Sequence, residues 1–336
     1  MMVDFFNREL RDPFQFVDAF GSLLALRNKI YFSEQQPLNQ IGLLNALAKF
    51  VFNGKRAEES FIIKLICSQT GPVSYETVQE LVSKELGYCP SIETLNRAIH
   101  SLNLMFSTRL ADGNQKPIAE IFNYKVIQLD NGKITSGVSL SKLIENQLSK
   151  TYLVDAAEFS LLKFKADFDL DKFCNGFKRE SIYCREDIFR ILGWNRNPTA
   201  LNVGGYQVSS DGTNCPLFIT YQKNESISTT TNYKDQFLDA KTLICMSKNK
   251  RTINSPDVLA IASQSSNLMR IPIFVKKEKE DLNFYYVGDG TSLSNKFELT
   301  RMNPSDARSP TVVKMLFELD NPVSPNLLKY LTSQSF

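Results

Sequence analysis

The chain is poor in the residues from which most enzyme sites are built. A single histidine, His100, in 336 residues excludes a histidine-based metal site. It also leaves a Ser-His-Asp triad or a phospholipase-D-type nuclease without its usual base. No GxxxxGK[ST] loop occurs, so the chain is not expected to hydrolyse nucleotides, and Gly204-Gly205 and Gly288-Asp289-Gly290 read as turns. The six cysteines, at 67, 89, 174, 184, 215 and 245, form no CxxC pair, which argues against a zinc knuckle or a thioredoxin-like motif and for buried free thiols. Asp167, Asp169 and Asp171 lack the glycine and terminal glutamate of a calcium loop and read as a polar linker face. The expectation is a chain with no catalytic residues, no metal and no cofactor.

Long apolar runs are also missing. No stretch approaches the roughly 20 apolar residues that span a bilayer, and MMVDFFNREL lacks the basic-then-apolar pattern of a signal peptide. A cytoplasmic protein with no membrane partner is expected. Charge is nearly balanced, with a net of +3, but residues 177–336 carry 20 Lys and Arg against 16 Asp and Glu. An excess of this size permits phosphate contacts without requiring them.

What is present is ordinary globular composition, 43% hydrophobic and 22% charged, in a pattern that changes along the chain. Phe14, Val17, Phe20, Leu24 and Leu26 follow Asp12-Pro13 at helical spacing, and Ile41, Leu44, Leu47 and Val51 repeat the stripe. This gives a helical region over 1–55. Three further helices are predicted, AEESFIIKLICSQTG, SYETVQELVSKELG and SIETLNRAIHSLNLMF. A hairpin follows, with Asn131-Gly132 as its two-residue turn. That order is the order of a winged helix, assigned to 56–138, whose third helix can enter a DNA groove. Leu95, Ile99 and Leu102 form its apolar face, leaving Asn96 and Arg97 as possible DNA contacts. SLSKLIENQLSKTYLVDAAEFSLLKFK reads as one long helix linking to the next module, over 139–176.

From residue 177 the period shifts. After a short helix, REDIFRILGWNRN, six β-prone runs alternate with polar connections: GGYQV, CPLFITY, KTLICMS, IPIFVKK, NFYYVG and TVVKMLFELD. They predict a strongly curved sheet or barrel over 177–336, interrupted by a helix opening at Ser255-Pro256-Asp257 and closed by one after Ser324-Pro325. Within it, CPLFITYQKNESISTTTNYKDQF (215–237) is unusual. An apolar strand runs into a long uncharged hydroxyl-rich segment and ends in aromatics flanking an acid.

The ordered set YCREDIFRILGWNRN, GYQV, CPLFITYQKNESISTTTNYKDQFLD, SKNKRT, IPIFVKK, FYYVG and VVKMLFELDNPV resembles the C-terminal target-recognition region of SauUSI-like, modified-cytosine-dependent (type IV) restriction enzymes and restriction-associated superfamily II helicases. It covers about 177–333, and LAKFVFNGKRAEESFIIKL upstream resembles the coupler of the same enzymes. The resemblance implies an α+β chain: a helical and winged-helix region followed by a β-barrel-like DNA reader of SRA or PUA-like fold. It implies that such a reader takes up 5-methyl- or 5-hydroxymethylcytosine flipped from duplex DNA. It further implies helicase or ATPase and nuclease domains as partners.

Flipping costs a few kcal/mol, which stacking and hydrogen bonds must offset. On that reading Tyr221 and Tyr233 stack or close the pocket, Asp235 accepts from cytosine N4, and Ser226, Thr229 and Thr230 meet the base edge or nearby phosphates. Lys223, Lys248, Lys250 and Arg251 are the phosphate candidates, since they lie next to this segment in sequence. Lys276, Lys277 and Lys279 read as a solvated turn. The rival reading is a protein-docking coupler of a helicase assembly that recognises no base.

Overall fold

The computed structural model describes residues 38–69, 71–198, 203–221, 235–303 and 306–333. The helix predicted over 14–26 lies outside them. Two compact units result, one of residues 1–176 with 189–197, the other of residues 177–188 with 198–336. The chain is α+β, helical in its N-terminal unit and a mixed β-sheet in its C-terminal unit. No helix among the described residues is long and apolar enough to cross a membrane.

In the N-terminal unit, α1 (Leu38–Phe50) buries Ile41, Leu44 and Leu47. Next come α2 (Glu58–Ser68), β1 (Val73–Ser74), α3 (Tyr75–Leu86) and α4 (Ile92–Leu102). Ser74 and Ser91 cap α3 and α4 by accepting from the amides of Thr77 and Thr94, which satisfies donors that a helix start leaves open. Between α4 and the expected hairpin stand β2 (Thr108–Ala111), β3 (Asn114–Pro117) and α5 (Ile118–Phe122), which sequence reasoning missed. The expected hairpin forms from β4 (Ile127–Asp130) and β5 (Lys133–Ser136). Asn131 and Gly132 take φ of 47° and 74°, as a two-residue turn matched to strand twist requires. β1 pairs with β5 to complete a three-stranded sheet. The single long helix expected beyond is two, α6 (Val138–Glu145) and α7 (Gln147–Asp167). The break falls at Asn146, which leaves the helical region with ψ of 113° and caps α7 by accepting from Ser149 N at 2.9 Å.

The C-terminal unit holds β6 (Ile182–Cys184), the start of α8 (Arg185–Ile191), β7 (Leu217–Thr220), β8 (Gln236–Phe237), β9 (Thr242–Met246) and α9 (Pro256–Ala262). Further along are β10 (Pro272–Lys276), β11 (Asn283–Ser292), β12 (Glu298–Arg301), β13 (Thr311–Leu319) and α10 (Pro325–Thr332). The sheet runs β8-β9-β13-β11-β10-β7, with β12 also on β13 and β6 on β11. Only β7 and β10 are parallel in that path, in the register Thr220 to Lys276. Strand alternation sends Leu217, Ile219, Ile273, Val275, Val313 and Met315 into one core. The opposite face is a layer of rings. Phe274 packs 5.8 Å from Phe218, 5.3 Å from Tyr286 and 5.3 Å from Phe177, and Phe218 lies 5.3 Å from Phe284. Tyr285 points to the first face, 5.8 Å from Tyr330.

The expected barrel does not close. β7 and β8 are the two ends of the strand path, and no ladder joins them among the described residues. The sheet is curved enough, however, that Tyr221, just past β7, stacks on Phe237 of β8 with ring centroids 6.2 Å apart and planes 25° from parallel.

Candidate nucleic-acid interface

The stack between Tyr221 and Phe237 marks a seam where the sheet's edges meet. Tyr221 is fixed through its backbone, its amide donating to the Lys276 carbonyl at 3.0 Å, and burial raises its phenol pKa. Asp235 is fixed on the other side, its Oδ1 accepting from the Met246 amide at 2.8 Å. The hydroxyl-rich segment therefore leaves and re-enters the sheet at one place. Ser226, Thr229, Thr230, Tyr233 and Lys223 lie in 222–234, outside the described residues. Of the predicted pocket residues the structure thus places Tyr221 and Asp235, and it puts both at the seam. Phe237 is an addition; the available signal was that it is one of the aromatics flanking Asp235 at the end of the 215–237 segment.

A second cluster forms beside β7. Residues 205 and 206 run against that strand, with Phe218 N donating to Gly205 O at 2.7 Å and Tyr206 bridged to Leu217. The Tyr206 hydroxyl donates to Asp257 Oδ2 at 2.9 Å, and Arg251 Nε reaches the same oxygen at 2.9 Å. Burial disfavours the Asp257 carboxylate, but these two hydrogen bonds hold its pKa below the usual range. Burial and the neighbouring carboxylate both push the Tyr206 phenol up. The Lys248 ammonium lies 5.2 Å from the centre of the Tyr206 ring, and burial lowers its pKa against the pull of Asp257.

The basic residues singled out in sequence therefore separate. Arg251 is paired with a carboxylate and Lys248 covers a ring, whereas Lys250 is exposed at the turn with φ of 60°. The turn is anchored from behind, because Ser247 exchanges hydrogen bonds with Val313, its amide to the carbonyl and its hydroxyl from the amide, each 2.8 Å. Lys250 is thus the described member of the group best placed to meet a phosphate.

In the N-terminal unit the outward face of α4 is already in use. Asn96 Oδ1 accepts from the Tyr75 hydroxyl at 2.5 Å, and Arg97 is ion-paired with Glu93. Residues 189–197 lie on the same face: His100 Nε2 is 2.9 Å from Asn195 O, and Gly193 packs so closely on the Arg97 side chain that a Cβ there would clash. The groove-facing role expected of Asn96 and Arg97 meets side chains engaged within their own unit. No group of three metal-ligating side chains is gathered among the described residues.

No curated protein matches the chain. Among solved structures it is similar to the sulfur-binding and SRA domains of ScoMcrA complexed with phosphorothioated DNA, at 11% identity, over 84% of this chain and 90% of that one, with a TM-score of 0.30. It is also similar to KRYPTONITE in complex with mCHH DNA, H3(1-15) peptide and SAH, at 12% identity over 48% of this chain, TM-score 0.29. Arabidopsis thaliana SUVH6 in complex with SAM aligns at 10% identity over 55% of this chain, TM-score 0.32. The alignments span 35% of the length of each of the last two chains. Scores this low do not establish a shared fold. Family models match two separate stretches, residues 1–166 and residues 177–331, each described as a domain of unknown function, DUF8090 and DUF3427 respectively.

Proposed function

We propose that the chain is a DNA reader without chemistry of its own, which takes up a modified cytosine, 5-methyl or 5-hydroxymethyl, flipped from duplex DNA. On this reading it directs a restriction helicase and nuclease to the marked site. The observation that carries it is the seam. An aromatic stack between Tyr221 and Phe237 and an anchored Asp235 stand where a hydroxyl-rich segment begins and ends. A flipped base needs ring faces and fixed acceptors to offset lost stacking and pairing. The sequence resemblance over 177–333 supports the same reading, and a methyl group adds about 0.8 kcal/mol if its recess is apolar. The α2 to β5 region is read as a winged helix that serves as a coupler, since its third helix is covered by residues 189–197.

Replacing Tyr221 by alanine is expected to lower the ratio of affinities for modified and plain duplex by about tenfold, the size of one lost base–aromatic stack. Asp235→Asn retains an acceptor for the Met246 amide but leaves one acceptor oxygen where there were two, so a smaller loss of the ratio is expected with the fold intact. Lys250→Gln should weaken binding to both duplexes alike and leave the ratio unchanged. Titration of matched duplexes reads all three. A ratio that stays at the wild-type value in both Tyr221→Ala and Asp235→Asn would refute the pocket and leave a protein-docking coupler.

A further inference from the structure

The ring layer on the second face of the C-terminal sheet ends in two cations. The Arg185 guanidinium stands 4.9 Å from the centre of the Phe218 ring and 5.4 Å from that of Phe284, and the Lys276 ammonium stands 5.2 Å from Phe284. Both sit on one aromatic wall at the C-terminal ends of the parallel strands β7 and β10. Lys276 is directly opposite Thr220, and its carbonyl holds the Tyr221 amide. The wall therefore adjoins the point where the hydroxyl-rich segment leaves the sheet.

The two cations are compensated very differently from two arginines of the same unit, Arg251 and Arg270. Arg251 and Arg270 each have a carboxylate within 2.9 Å. Arg185 has no carboxylate partner among the described residues, and its Nε is buried without a hydrogen bond. Lys276 donates to two carbonyls, of Lys279 at 2.7 Å and of Asp281 at 2.6 Å, which orient the ammonium without neutralising it. Burial lowers the pKa of both groups, and Arg185 lowers that of Lys276 further, while Asp281 and Glu280 oppose this from the turn. Two like charges held together against rings, one without a counter-ion, cost the free protein stability that an external anion would return. A guanidinium over an aromatic face can still turn its terminal N–H donors to phosphate oxygens.

We propose that Arg185 and Lys276, on the Phe218 and Phe284 wall, bind a backbone phosphate of the DNA whose base enters the seam. The proposal rests on the reader assignment for the identity of the anion. It gives a phosphate contact to Lys276, the last residue of β10, which sequence reasoning had assigned to a solvated turn.

The test is binding of the full chain to matched modified and plain duplexes across a salt series, for wild type, Arg185→Gln and Arg185→Lys. Arg185→Gln is expected to weaken both duplexes by the same factor and to reduce the slope of log affinity against log salt by about 0.9, the value for one lost phosphate contact. Arg185→Lys is expected to keep the slope. Removing one of two like charges should leave the melting temperature of Arg185→Gln at or above that of wild type, which separates lost binding from lost folding. An unchanged slope and affinity in Arg185→Gln overturns the proposal, as does a wild-type chain that binds neither duplex. If the wild type binds both duplexes equally and Arg185→Gln still reduces the slope, the phosphate site stands and the base pocket falls.

Discussion

Glu59→Gln is expected to destabilise the N-terminal unit by about 3–5 kcal/mol, the cost of leaving a buried ion pair with one partner. Glu59 and Arg190 are each 1% exposed at their side chains and meet at 2.7 Å, while Arg56, 5% exposed, lies 3.3 Å from the same carboxylate oxygen. Arg56 also donates to the Arg190 carbonyl at 2.8 Å, and Arg190 donates to Asn53 Oδ1 at 3.1 Å. One carboxylate therefore sits between two buried guanidinium groups, and burial already lowers the Arg56 pKa against the pull of Glu59. Glutamine keeps the size and removes the charge, so both arginines lose the carboxylate they share, and for Arg56 the neighbouring Glu58 offsets only part of this. Trp194, the only tryptophan, belongs to this unit and packs 4.6 Å from Phe189, so its fluorescence in a denaturant series follows the right transition. Adding Arg190→Met to Glu59→Gln should recover part of the loss; a transition left at the wild-type midpoint by Glu59→Gln alone would contradict the assignment.

Asp289→Ala is expected to have a comparable effect in the C-terminal unit, about 3 kcal/mol or more. Asp289 takes Arg270 in a two-pronged contact, Oδ2 to Nε at 2.7 Å and Oδ1 to Nη2 at 3.1 Å, and also accepts from the Tyr286 hydroxyl at 2.7 Å. The Arg270 guanidinium lies 5.4 Å from the Phe177 ring. Burial alone would lower the Arg270 pKa, but Asp289 and Tyr286 together outweigh it and the net shift is upward. Truncating Asp289 strands that charge beside the ring layer. Amide hydrogen exchange across β10 and β11 should accelerate by about the factor that corresponds to this energy, since each 1.4 kcal/mol is tenfold. Protection equal to wild type would show that the pair does not hold these strands.

Much of the local architecture was legible because it is written in local signals. Asn131-Gly132 fixed a hairpin, and Ser74, Ser91 and Ser324 start helices by side-chain caps. Asp112-Gly113 carries the same kind of turn signal, with φ of 51° and 77°, and could have revealed the β2–β3 hairpin. What depended on distant partners was not legible. Ile191 and Leu192 are buried, but a helical stripe does not say which core it enters, and residues 189–197 join the N-terminal unit through Arg190 and Glu59, 131 positions apart. Nor did charge counts tell which cations are paired. Arg251 looked available and is bound to Asp257, whereas Arg185 and Lys276 looked ordinary and share an aromatic wall. At the seam, Tyr221 and Asp235 were singled out on the family resemblance, while the pairing of Tyr221 with Phe237 depends on the curvature of the sheet.

The central claim is recognition of a modified base, and the most direct measurement is fluorescence-anisotropy binding of the full chain to matched duplexes with cytosine, 5-methylcytosine or 5-hydroxymethylcytosine, at two salt concentrations and in several sequence contexts. Backbone contacts lose affinity steeply as salt rises, whereas a pocket contact keeps its preference. The account predicts tighter binding of one modified duplex, with a preference that persists at the higher salt. Equal, salt-sensitive binding of all three duplexes, or no binding, would contradict it.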